Sequence, residues 1–267
     1  SLLTPPTLVD GASYTISFTG TDAAGNTGTE EVTNVSQDYP GFTNITPGTN
    51  AFIKTSNVIY TLNKSINSGS VTFTKTGGAS DSSSPHIINL SGSQLDVGTT
   101  TLSNPATLVS GAIYTISFSG TDSTNTGTAE RTNITFDNIP PTMTIKAKSA
   151  VSNNVIISGS TISSQYSSYL NLTFTSSEAT TNFNVNDITV SGGELSNFSG
   201  YGFTFSAQFT PTNFTETGVV TIDVAANTFT DLGGNNNQAA SQFILYYDNV
   251  KPTMSIRSTT SGVSNGS

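Results

Sequence analysis

The chain has 267 residues, 34% of them hydrophobic and only 9% charged, with a formal net charge of −9 and no cysteine. That length leaves room for about two domains with cores of their own. Disulfides, thiolate metal sites and cysteine nucleophiles are excluded. Eight scattered Lys and Arg residues speak against nucleic acid, and no run approaches the length of a membrane helix.

The polar positions are dominated by Ser and Thr, yet alternating aliphatic and aromatic residues are frequent, a supply that disordered chains lack. A folded all-β protein is expected. Thr7-Leu-Val-Asp-Gly-Ala-Ser-Tyr-Thr-Ile-Ser-Phe-Thr-Gly-Thr-Asp22 returns as Thr107-Leu-Val-Ser-Gly-Ala-Ile-Tyr-Thr-Ile-Ser-Phe-Ser-Gly-Thr-Asp122, an offset of 100. Tyr, Ile and Phe occupy every second position (14, 16, 18 and 114, 116, 118), which predicts a strand with one buried face. Leu-x-x-Gly-x-x-Tyr upstream matches a tyrosine corner, the hallmark of strand F in immunoglobulin-like sandwiches. A turn and a second alternating strand follow, making an F–G hairpin. Residues 1–39 then hold only the last part of a domain, since a lone hairpin builds no sandwich core.

Residues 40–139 contain a full set of short strand candidates: 52–54, 58–62, 71–75, 87–90, 99–102 and a second F–G pair. Residues 140–250 form another set at 155–157, 170–174, 188–190, 203–207, 220–224 and 243–247, without a Tyr at the corner position. Asp137-Asn-Ile-Pro-Pro-Thr-Met-Thr-Ile145 returns as Asp248-Asn-Val-Lys-Pro-Thr-Met-Ser-Ile256. A proline fixes its own φ and biases the preceding residue towards extended backbone, so each copy reads as a stiff junction. Residues 251–267 then comprise a linker and the start of a further domain.

Residues 140–250 resemble the bacterial Ig-like domains strung in tandem through large surface adhesins. The likeness rests on Ser177-Glu-Ala, Phe183-Asn-Val-Asn-Asp-Ile-Thr-Val190, Gly193, and Val224-Ala-Ala with Asp231-Leu-Gly-Gly-Asn235. Residues 1–139 resemble a sister repeat type, with Asp22-Ala-Ala-Gly-Asn26 as its best motif. The resemblance implies tandem Ig-like β-sandwich domains and an extracellular, cell-surface role: a structural extender in an adhesin or filament. Two other roles are weighed. One is a polymerising subunit completed by strands from neighbouring molecules. The other is a surface-glycan-binding module, with Tyr166, Tyr169 and Tyr201 as its aromatic residues.

No enzyme is expected. His86 is the only histidine, no Gly-x-Ser-x-Gly elbow exists, and most acids sit where Asp shapes turns. Calcium is the candidate cofactor, because the arrays this sequence resembles stiffen their joints with it; the alternative is that these acids only cap turns. Asp137 in the linker, Glu178 after strand B, and Asp231 with Asn235 in the F–G turn would converge on one junction as oxygen ligands. In the earlier domain Asp38 and Asp122 hold corresponding places, but Lys64 stands near the Glu178 position and predicts an ion pair instead. Asn-x-Ser/Thr occurs at Asn34, Asn44, Asn63, Asn89, Asn133, Asn171, Asn197, Asn213 and Asn265, about as often as so much Ser and Thr supplies by chance. In a eukaryotic source these could carry glycans.

Overall fold

The computed structural model describes residue 9 and residues 12–36, 38–163, 168–212 and 216–256. It is β-strand almost throughout, and the chain divides into two compact units, Ser1–Ile139 and Pro140–Ser267.

The first unit opens with β1 (Ser13–Thr21) and β2 (Thr27–Ser36), which pair only with each other. Then follow β3 (Phe42–Thr46), β4 (Phe52–Ile53), β5 (Val58–Leu62), β6 (Ser68–Gly78), β7 (His86–Asn89), β8 (Gly98–Leu102), β9 (Ala112–Thr121) and β10 (Thr126–Phe136). One sheet has the order β3-β5-β8 and the other β4-β10-β9-β6-β7. Alternation explains the core between them: Val58, Tyr60 and Leu62 from β5 face Val71 and Phe73 from β6 and Tyr114, Ile116 and Phe118 from β9. Phe42, Tyr60 and Phe118 meet with ring centroids 5.6–6.0 Å apart.

Strand β3 escapes the sequence reading for a physical reason. A bulge shifts its register between Thr43 and Thr46, with Asn44 at φ 48°. Phe42 and Ile45, three residues apart, therefore both point inward, and the period of two is broken.

The second unit contains β11 (Met143–Ser149), β12 (Val155–Ile156), β13 (Thr161–Ile162), β14 (Leu170–Thr180), β15 (Ile188–Ser191), β16 (Gly193–Pro211), β17 (Thr217–Val224) and β18 (Phe243–Asp248). Its sheets run β12-β11-β14-β16 and β13-β18-β17-β15. Strand β16 turns back on itself: Asn197 Nδ2 donates to Gln208 Oε1 at 2.6 Å, and the Ser199 and Ser206 hydroxyls meet at 3.0 Å. Phe183 is the hub of the core, with Phe174, Phe198, Phe205 and Phe229 at centroid distances of 4.9–5.9 Å. Strand β14 runs six residues beyond the expected 170–174, so Glu178 lies within the strand, not after it. Residues 251–256 form no strand, and the rest of the expected further domain lies outside the described residues.

Candidate functional site

The two Asp-x-x-Gly-Asn motifs fold into the same turn. Asn26 donates its N–H to Asp22 Oδ1 and its Nδ2 to Oδ2, both at 2.9 Å, while Asp22 N reaches Asn26 O at 2.9 Å. Asn235 does likewise to Asp231, at 2.9 Å for each side-chain bond and 3.2 Å for the backbone return. Gly25 and Gly234 hold φ of 89° and 80°, which is why glycine stands there. Hydrogen bonds led by the Asn26 side chain hold the Asp22 carboxyl below its usual range. The turn is exposed at Asp22 but buried in the second unit, with Asp231 at 6% and Asn235 at 8%.

That burial brings Asp231 against β14. Its backbone bridges to Thr180, and the carboxylate oxygens of Glu178 and Asp231 come within 4.8 Å of each other. Glu178 Oε2 is shielded from solvent. Two carboxylates this close supply oxygen donors of the kind that hard divalent cations take, while the Asn235 side chain is committed through its Nδ2 to Asp231 Oδ2.

Asp137 closes the first unit. Its N–H donates to Ile53 O at 2.8 Å, and its Oδ1 accepts from the Ser110 hydroxyl at 3.0 Å and from Ile139 N at 3.2 Å. Asp248 repeats the local part of this, accepting from Val250 N at 2.9 Å. The repeated Asp of the junction motif thus folds its own linker through an Asx turn.

Lys64 does what its position near the Glu178 place suggests. Its ammonium lies 2.8 Å from Asp122 Oδ2 and 2.9 Å from Asp38 Oδ2. Asp122 chiefly, then Asp38, raise the Lys64 pKa, and Lys64 chiefly holds Asp122 low, helped by the N–H groups of Asn125 and Thr124. A fixed cation occupies this pocket of acids in the first unit.

The sequence reading missed Asp81. Its carboxylate, 3% exposed, lies 2.7 Å from His86 Nε2 and accepts from the Tyr114 hydroxyl at 2.7 Å. Tyr114 in turn accepts from Val109 N at 3.0 Å, which is the tyrosine corner. The single histidine thus serves to lock this corner. His86 first, then Tyr114, lower the Asp81 pKa from 3.8 to about 2. A depressed carboxylate stabilises the fold fully above its unfolded pKa and loses that contribution as pH falls through the folded value. Urea midpoints of the natural chain and Asp81→Asn should therefore differ most at pH 5 and converge between about pH 3.8 and pH 2. A gap that stays constant over that window would remove the assignment.

Of the asparagines in Asn-x-Ser/Thr motifs, Asn34, Asn44, Asn63, Asn89, Asn133, Asn171 and Asn197 are exposed. Asn213 and Asn265 lie outside the described residues. Asn34, Asn44, Asn133 and Asn197 hold φ of 59°, 48°, 57° and 52°, a left-handed conformation that Asn tolerates better than most residues. Backbone geometry accounts for these four without a glycan. Tyr201 is 90% exposed beside Phe203 at 55%, Tyr169 is half-buried, and Tyr166 is outside the described residues.

Two antiparallel sheets packed face to face, short parallel pairings of β4 with β10 and of β13 with β18, and a tyrosine corner define an Ig-like β-sandwich protein. Residues 137–246 match the family model described as a bacterial Ig-like domain, so a region of that type is present. No curated protein matches the chain. Among solved structures, the "I-band fragment I67-I69 from titin" is similar at 10% identity with a TM-score of 0.34, covering 90% of this chain and 76% of that one. No helix among the described residues is long and apolar enough to cross a membrane.

Proposed function

We propose that the chain is a structural extender of an extracellular, adhesin- or filament-type protein, built from Ig-like repeats joined by stiff linkers. In this reading residues 1–39 close one repeat, 40–139 and 140–250 are two full repeats of different subtype, and 251–267 lead towards another. The observation that carries it is how little backbone is free at the junction. Asn138 N donates to Ser110 Oγ at 3.1 Å, and Pro141 O accepts from Gln238 N at 2.9 Å. Only Ile139 and Pro140 stand between, and Pro140 has its φ fixed. A tether this short transmits force from repeat to repeat instead of absorbing it.

The same reading gives the junction a calcium ion, held by Glu178, Asp231, the Asn235 carbonyl oxygen and, from the linker, Asp137. Bound there, the ion would offset two of the three carboxylate charges and cross-brace the linker to the turn. The first repeat reaches a comparable end with Lys64 between Asp38 and Asp122. If glycans are carried, the seven exposed asparagines are their places.

Distances between one nitroxide label on each unit test both parts. The expected distribution is narrow in calcium, broader in chelator, and broadest when Gly-Ser pairs are inserted after Ile139. A distribution as broad in the natural chain as in the inserted one would reject the stiff extender. Insensitivity to chelator would reject the ion alone.

A further inference from the structure

The hairpin β1–β2 repeats the corner bond, the cross-strand Ser–Glu bond and the strand register of β9–β10. Tyr14 OH accepts from Val9 N at 2.6 Å as Tyr114 OH does from Val109 N at 3.0 Å. Ser17 and Ser117 donate across the pair to Glu31 and Glu130, at 3.4 and 3.0 Å. The register agrees too, with Gly20 opposite Gly28 and Phe18 opposite Glu30 in one, Gly120 opposite Gly127 and Phe118 opposite Ala129 in the other. The exposures do not agree. Ile116 and Phe118 are 0% and 1% exposed, whereas Ile16 and Phe18 are 39% and 59%.

The glycines say what is missing. A Cβ on Gly120 would run into the Phe42 ring and Ile66 Cδ1, and one on Gly127 would collide with the Pro40 carbonyl. At Gly20 and Gly28 nothing lies within 4 Å. None of the four has a left-handed φ, so backbone freedom does not call for glycine there. Glycine inside a strand weakens it and marks a place where another backbone or ring comes close. The first hairpin carries the two gaps without the groups that fill them.

We propose that the β1–β2 face is a docking surface for an Ig-type strand set of the kind formed by residues 40–104. The partner's first strand would enter as Pro40-Gly-Phe42 does, its main chain passing over Gly28 and its aromatic ring over Gly20. The inference rests on the repeat reading of residues 1–39, not on the extender role. A second copy of this chain is a poor occupant. Its own strands 40–104 are already covered by β9–β10, so an exchange leaves as many hairpins open as before.

The test is an extended chain in which residues 38–104 are placed directly ahead of Pro5 of the full sequence, keeping the 100-residue spacing. Hydrogen exchange is read on peptides covering 13–21 and 27–36. The extension should slow exchange roughly 100-fold. Gly28→Val should abolish that slowing, while leaving exchange in the unextended chain unchanged. No slowing in the extended chain overturns the proposal, as does slowing that survives Gly28→Val. Slowing in the unextended chain that grows with concentration also overturns it, since the occupant is then a second copy. Tyr14→Phe in the unextended chain reads the repeat assignment separately: faster hairpin exchange upholds it, and no change removes it whatever the extension does.

Discussion

Gly127→Val should unfold the first sandwich, or come close to it, while the same change at Gly28 costs almost nothing. At Gly127 the added side chain meets the main-chain carbonyl of Pro40, and a backbone atom cannot turn aside as a rotamer can. Overpacking typically costs about 1–3 kcal/mol and more when the backbone must move, so about 3 kcal/mol or more is expected. That is a large share of the 5–15 kcal/mol that holds a typical domain together. The two variants differ only in which hairpin they touch, and strand propensity favours valine in both. Chemical denaturation followed by hydrogen exchange on 58–62 and 112–121 measures the loss. Equal effects at the two positions would show that the hairpins are not in different surroundings.

The second large effect is expected at Phe183. Its ring is 5% exposed and packs edge-on against Phe198, Phe205 and Phe229 and at a tilt against Phe174. Replacing a buried Phe by Ala costs about 3–5 kcal/mol, and four surrounding rings cannot all close over the void. Phe183→Ala should therefore lower the stability of the second unit by about 4 kcal/mol and leave protection of 58–62 in the first untouched. No residue is shared between the two buried clusters, which is the reason for expecting separate responses. Exchange-detected melting of 170–176 against 58–62 checks it, and a joint shift of both segments would contradict the separate cores.

Much of this was legible because alternation is strong where it matters. Tyr114, Ile116 and Phe118 lie on one face of a regular strand, and the corner motif upstream names that strand as F. Lys64 could be read as an ion-pairing residue because the second repeat has an acid near its place. The unread parts share a cause. In β3 the bulge at Asn44 breaks the period. In β14 the inward positions after Phe174 are Ser176 and Thr180, buried at 3% and 1%, and hydroxyl residues look like surface in a Ser- and Thr-rich chain. Asp81 has a local partner in His86, five residues on, but nothing in that spacing points to the tyrosine corner. Its other partner, Tyr114, is 33 residues away, and only the folding of β9 beside β6 brings the two together. The hairpin within β16 shows in the sequence only as the strand at 203–207, because Tyr201 and Phe203 alternate with the turn glycines Gly200 and Gly202 and carry the strand-like pattern through the turn.

The claim on which the functional reading depends is that load passes through separately cored sandwiches in series. Stretching the full chain from its two ends in a single-molecule force experiment tests this most directly. Two separate unfolding events are expected, each releasing about 35 nm of contour for roughly 100 residues at 3.3–3.6 Å apiece. A chain that lengthens smoothly without force peaks, or gives way in one event spanning both units, would contradict the account.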